Sequence, residues 1–371
     1  LLLMGLLGLS GCGSPSSASV EMSSQTELVK TGSMELQYAE NFAVDYYEDG
    51  YKMLTTLPDS KRYLLVPEGQ PVPKGLDEDV SILQEPLQNI YLVASGVMDM
   101  FASVDAVDQI RFSGQKQENW YIQTAKDAMA AGDMIYAGKY SKPDYELLVS
   151  EGCDLAIENR MITHSPEVVE MLQSFDIPVM IEYSSYEQHP LGKVEWVKFF
   201  GALTGKEAEA EEAFAEQTEI LEKVESGEKT GKTIAFFYVT SNGLIQVRQS
   251  TDYIPKLIEL AGGRYIFEDL EDSGSGRSTL NMQVEDFYAG AKDADILIYN
   301  SSIDGGVTTL DELIGKCNIL KDFKAVQEGQ VYCTTNDMYQ QSMAIGYLLQ
   351  DMHTVLTDDD TAKLRYLFLL Q

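Results

Sequence analysis

The chain has 371 residues, with 27 Lys and Arg against 59 Asp and Glu, a formal net charge of −32. That length accommodates two sizeable cores, and so acidic a chain excludes a nucleic-acid partner held through its phosphates. Three histidines in the whole sequence make a His-rich metal site improbable.

The chain opens on an apolar run over residues 1–9, ending Leu9-Ser10-Gly11-Cys12. The run is shorter than the ~18 apolar residues a membrane span needs. With the small, polar stretch Gly13-Ser14-Pro15-Ser16-Ser17 behind it, it resembles the lipobox of exported bacterial lipoproteins, in which the cysteine is lipidated. Residues 1–11 are therefore expected to be a truncated signal peptide, Cys12 the lipidation site and 12–33 a polar tether. Multiple acyl chains would fix the protein to a membrane while its domain stays in water.

Residues 34–88 read as a β-rich extension. Phe42-Ala43-Val44-Asp45-Tyr46-Tyr47 and Tyr51-Lys52-Met53-Leu54-Thr55-Thr56 flank Glu48-Asp49-Gly50, a hairpin signal. Arg62-Tyr63-Leu64-Leu65-Val66 supplies a third strand. From residue 89 the pattern changes. Asn89-Ile90-Tyr91-Leu92-Val93-Ala94-Ser95-Gly96 is an apolar run ending in small residues, as a buried parallel strand does where it enters a loop. Asp154-Leu155-Ala156-Ile157 and Ile177-Pro178-Val179-Met180-Ile181 follow as strands. The helix between them starts at Ser165-Pro166-Glu167, a capping residue followed by Pro at the first position. Residues 194–224 form a long helical block. Its later part has apolar residues at helical spacing and glutamates on the other face, and about 20 residues at 1.5 Å each span ~30 Å. The second half repeats the strand–helix traffic with Thr233-Ile234-Ala235-Phe236-Phe237-Tyr238-Val239, a helix over 253–261, strands at 295–299 and 330–333, and a helix over 341–356.

Two segments are copies of one unit. Tyr145-Glu146-Leu147-Leu148-Val149 leads to Asp154-Leu155-Ala156-Ile157 and Asn159; Val284-Glu285-Asp286-Phe287-Tyr288 leads to Asp295-Ile296-Leu297-Ile298 and Asn300. Each is a short helix with an early glutamate, then an Asp opening a strand. The duplication predicts two α/β lobes, and small ligands bind in the cleft between lobes. Apart from Cys12, the cysteines are Cys153, Cys317 and Cys333. Cys317 and Cys333 are available to pair if the fold brings them together, and Cys153 reads as a buried thiol.

This arrangement resembles the substrate-binding proteins of ABC importers for ferric siderophores, haem and vitamin B12. The resemblance rests on the repeated Glu…Asp-strand units, on Gly201-Ala202-Leu203-Thr204-Gly205-Lys206-Glu207 as a backbone-helix segment, and on Leu260-Ala261-Gly262-Gly263 as the second-lobe turn. The family's prolines before each strand Asp are replaced here by Cys153 and Ala294. The resemblance implies two Rossmann-like lobes, 89–190 and 230–371, joined by a long bridging α-helix within 191–229, with the N-terminal β-hairpin extension added. It also implies a non-enzymatic monomer without cofactor that delivers a small-molecule metal chelate to an ABC permease. Glu146 and Glu285 would dock onto that permease.

Ligands of α/β sheets sit beyond the carboxyl ends of the strands. The candidate ligand residues are accordingly Ser95, Arg111, Trp120, Tyr140, Arg160, Met161 and Tyr183 in the first lobe. The second lobe contributes Tyr238, Arg248, Arg277, Met338 and Tyr339. Arginine with aromatics suits a planar anionic chelate. His189, in Gln188-His189-Pro190, reads as a structural corner before a helix. A bare-metal binder would need several converging His and carboxylates, and a hydrolase would need a nucleophile elbow or a zinc motif that the chain lacks.

Overall fold

The computed structural model describes residues 28–270, 278–303, 306–358 and 363–371. The extension is a five-stranded sheet in chain order: Lys30–Ser33, Phe42–Tyr47, Lys52–Thr56, Lys61–Val66 and Val80–Gln84. The hairpin forms where expected. Phe42–Tyr47 pairs antiparallel with Lys52–Thr56 around Glu48–Gly50, and Asp49 takes a φ of 57° to make the turn. The sheet also begins earlier than the composition suggested. Lys30–Ser33, within the expected tether, pairs with Phe42–Tyr47. An edge strand can be polar because it buries little, and here Lys30 and Ser33 both reach the Asp45 carboxylate.

Strand alternation gives the extension two apolar faces. Phe42, Val44, Leu54, Tyr63 and Leu65 join the main core, while Tyr51, Met53, Leu64 and Val66 form a small core of their own. The inner face lies on the first lobe and on the helix Pro190–Thr204. Tyr63 donates its hydroxyl to the Val179 carbonyl at 2.8 Å. The fully buried Glu195 carboxylate accepts the backbone N–H groups of Gln37, Tyr38 and Ala39 at 2.8–3.1 Å. Glu187 accepts those of Glu40 and Asn41 and the Trp196 indole N–H.

The first lobe has five parallel strands in the order Val179–Glu182, Leu155–Asn159, Ile90–Leu92, Ile110–Ser113 and Ile135–Tyr136. In the second lobe Thr233–Val239, Ile296–Tyr299 and Val331–Thr334 run parallel. Antiparallel strands Ile245–Arg248, Thr279–Met282 and Leu367–Leu369 extend this sheet. The repeated units fold alike: helix Tyr145–Ser150 precedes strand Leu155–Asn159, and helix Val284–Ala291 precedes Ile296–Tyr299. Their aspartates also do the same work. Asp154 accepts the N–H groups of Gln88 and Asn89, just ahead of the first strand of its lobe. Asp295 accepts the N–H and hydroxyl of Thr233, where the first strand of the second lobe begins. The aspartates are the structural staple of this unit.

The bridging block is two helices rather than one. Pro190–Thr204 ends at Gly205 in the left-handed conformation, φ 72°, a conformation that favours glycine at a helix end. Glu207–Glu225 then runs 19 residues. The helices touch at Gly201, where an added Cβ would stand 2.5 Å from the Ala210 Cβ. Every residue from 190 to 203 is buried. His189 is the corner expected of it: its Nδ1 accepts the Leu191 N–H as a helix cap at 3.1 Å. Among the described residues no helix is long and apolar enough to cross a membrane.

Candidate functional site

The strands of the first lobe end at one side of a cleft of about 270 Å³ between the lobes. Ser95 and Gly96 follow the strand Ile90–Leu92, Asn159, Arg160 and Met161 close or follow Leu155–Asn159, and Glu182 ends Val179–Glu182. Arg248, Tyr253 and Ser278 come from the second lobe, Lys193 from the buried bridging helix and Tyr339 from the segment before the last long helix.

Arg160 lies over the Tyr186 ring at 4.7 Å, and the Lys193 ammonium lies over the Tyr253 ring, also at 4.7 Å. Aromatic faces hold cations without neutralising them. Arg248 stands 3.5 Å from Asp252 and 5.7 Å from the centre of the Phe236 ring. Among the described residues, Glu182 is the acidic one lining the cleft. Burial pushes its carboxyl up, opposed by the Ser184 hydroxyl and N–H and by Lys193. Three cationic side chains, Arg160, Lys193 and Arg248, thus line one cleft of an acidic molecule. At its mouth Met161, Tyr186 and Tyr339 are 49%, 40% and 39% exposed, offering apolar bodies to a ligand.

Of the residues singled out from the sequence, the structure gathers Ser95, Arg160, Met161, Arg248 and Tyr339 in this cleft. The other described ones do not line it. Arg111 points outward from its strand, paired with Glu151 at 2.8 Å and donating to the carbonyls of Gly132 and Asp133. Trp120 is 1% exposed, its indole N–H donated to Ser113 Oγ at 3.0 Å. Tyr140 packs against the outer core of the first lobe, and Tyr238 against that of the second. Tyr183 and Met338 are buried in the main core. Arg277 and Cys12 lie outside the described residues.

Lys193, Glu182, Tyr253 and Ser278 were missed. Lys193 carried a signal: a lysine inside the otherwise apolar Leu191-Gly192-Lys193-Val194 is buried only when something offsets its charge. Glu146 and Glu285 are exposed in the first turns of their helices. Cys317 and Cys333 are both buried and form no disulfide. Cys153, expected to be a buried thiol, is half-buried against the outer core of the first lobe, and burial pushes its thiol up to about 12.

The family model described as periplasmic binding protein matches residues 93–338. An uncharacterized lipoprotein of Methanocaldococcus jannaschii is 24% identical over 353 residues, spanning 86% of this chain and 81% of its own. Among solved structures, an ABC-type Fe3+-hydroxamate transport system from Saccharomonospora viridis superposes with a TM-score of 0.56 at 16% identity, covering 73% of this chain and 93% of its own. The periplasmic heme binding protein HutB of Vibrio cholerae superposes with a TM-score of 0.57 at 14% identity, covering 72% and 98%. With two α/β lobes, a helical bridge and a cleft at the strand ends, matched over two thirds of its length, this chain belongs to the periplasmic binding protein family, the solute-binding and non-catalytic components of transport.

Proposed function

We propose that this protein captures an anionic metal chelate of the ferric-siderophore type in the interlobe cleft and hands it to an ABC permease. The observation that carries this reading is the convergence of Arg160, Lys193 and Arg248 on one cleft in a chain of net charge −32. Guanidinium groups pair with carboxylate or catecholate oxygens and stack on planar ligands. Tyr186, Tyr253 and Tyr339 supply apolar faces with polar tips. The printed names of two similar structures, an Fe3+-hydroxamate transport system and a heme binding protein, support this class of solute. Glu146 and Glu285, one exposed carboxylate per lobe, suit docking onto basic permease residues, where complementary charge sets register and encounter rate. Lipidation at Cys12 would hold the monomer at the outer face of the membrane; the similar archaeal protein carries the name lipoprotein.

A planar macrocycle, haem or a corrinoid, is the second reading, favoured by the exposed Met161, Tyr186 and Tyr339 at the cleft mouth. Bare-ion capture has less support: among the described residues no three His, Cys, Asp or Glu converge. Titration of the protein's fluorescence with ferric ferrioxamine B, a ferric tricatecholate, haemin and cyanocobalamin tests the reading. Quenching by an anionic chelate, weakened at least tenfold by Arg160→Ala or Arg248→Ala, is expected, since a charge-assisted contact is worth about 1.5–3 kcal/mol. Silence towards all four probes would overturn it.

A further inference from the structure

We propose that Gln340 is a positioning residue that fixes Tyr339 in the cleft and ties that wall of the site to the first lobe. The inference rests on the cleft being the ligand site.

The chain leaves the second-lobe strand Val331–Thr334 and crosses through residues 335–344 to the helix Ile345–Thr357. On the way it docks on the first lobe. Gln340 is fully buried. Its Oε1 accepts the Tyr121 N–H at 2.8 Å, and its Nε2 donates to the Asn119 carbonyl at 2.9 Å. The amide supplies the donor and the acceptor from one planar group. The backbone it grips is itself anchored, because Trp120 between the two contacts is 1% exposed and bonded to Ser113.

A second anchor lies three residues on, where the Met343 N–H donates to Asp99 Oδ2 at 2.7 Å; Asp99 is on the first-lobe helix Met98–Ser103. Around these anchors the segment presses on the cleft-lining turn at Gly96. A Cβ there would stand 3.1 Å from Ser342 Oγ and 3.5 Å from the Tyr339 carbonyl. The Gln340 amide also reaches the Tyr339 hydroxyl at 3.4 Å. Tyr339 follows a second-lobe strand in the sequence, yet the residues directly after it are held to the first lobe, while Thr335 before it donates its N–H to the Tyr366 carbonyl of the second lobe. Arg248 and Tyr253 then form the wall that belongs to the second lobe.

The test uses Gln340→Ala, Tyr339→Ala and the double variant, with the four probes named above. Gln340→Ala is expected to weaken binding about tenfold, two neutral hydrogen bonds being at stake. In the Tyr339→Ala background the same change should have almost no effect, because Gln340 acts through Tyr339. Equal effects in both backgrounds would overturn the positioning role. Hydrogen exchange of the full chain gives a readout that needs no ligand. The Tyr121 and Met343 amides should exchange faster in Gln340→Ala, while the second-lobe amide of Leu297 is unchanged. If Tyr121 stays protected, the tie is absent. If wild type binds none of the probes but the exchange result holds, the ligand class is at fault and the tie stands.

Discussion

Glu158 is fully buried, and neither of its carboxyl oxygens has a hydrogen-bond partner. By strand alternation it shares a face with Ala156, towards the apolar cluster of Tyr91, Phe112, Leu148 and Val168. Burial pushes its carboxyl up to about 8 from an ordinary 4.5. The folded state therefore keeps a proton that the unfolded chain releases above pH ~4.5. Its contribution is fully present below that pH and is lost as pH rises towards 8. At ~1.4 kcal/mol per pH unit the whole window amounts to about 5 kcal/mol. Glu158→Gln keeps the shape and removes the titration. Urea unfolding of both proteins at pH 5, 6.5 and 8 measures the difference. The variant should gain on wild type by several kcal/mol between pH 5 and 8. Other buried carboxyls, such as Asp99, pushed up to about 6 by burial, cancel in the comparison. A difference that stays constant across those three pH values would refute the argument.

Glu195→Ala removes the acceptor of three backbone N–H groups and should destabilise the protein by about 3 kcal/mol, with faster exchange at Tyr38 and Ala39. Gly201→Ala, which at an exposed helical site would stabilise by ~1 kcal/mol, should instead cost about 2 kcal/mol, because the new Cβ meets Ala210; thermal melting reads the sign. Reversing Glu146 and Glu285 to Arg should abolish solute uptake in cells and leave affinity within about twofold, since both carboxylates are exposed and exposed ion pairs contribute at most about 1 kcal/mol to the folded protein. A parallel fall in affinity would remove the docking assignment.

The lobes were legible because parallel strands must be apolar on both faces, so Ile90-Tyr91-Leu92 and Ile296-Leu297-Ile298 stand out without any partner being known. The repeat was legible for the same reason. The break at Gly205 was harder to read, because Leu203-Thr204 and Glu207-Ala208 fit one helical pattern and a single glycine is tolerated within a helix. The site was half legible. Residues just after strand ends, Ser95 and Arg160, fell in the cleft because strand direction alone places them. Arg111 did not, because the pairing of Ile110–Ser113 with Ile90–Leu92 shifts register at Arg111, so Ile110 and Phe112 enter opposite cores and Arg111 is the extra residue of a bulge. Trp120 and Met338 have ligand-like chemistry, but their burial depends on packing that no local pattern records. Lys193 reaches the cleft through the bridging helix, a juxtaposition that exists only once both lobes are assembled.

The family model matches residues 93–338, yet in this protein the core of that stretch continues into the extension. Phe42 of the extension meets the rings of Trp196 and Phe199 at 4.9 and 5.3 Å. Those residues lie on a helix whose every turn is covered. A chain begun at Asn89 would present this aromatic row to water and leave the carboxylates of Glu195 and Glu187 without the amides that hold them. The extension is thus a lid made permanent. Relatives that lack such an extension must cover this helix face another way or carry polar residues on it, and that face is the place to look when sorting members of the family by architecture.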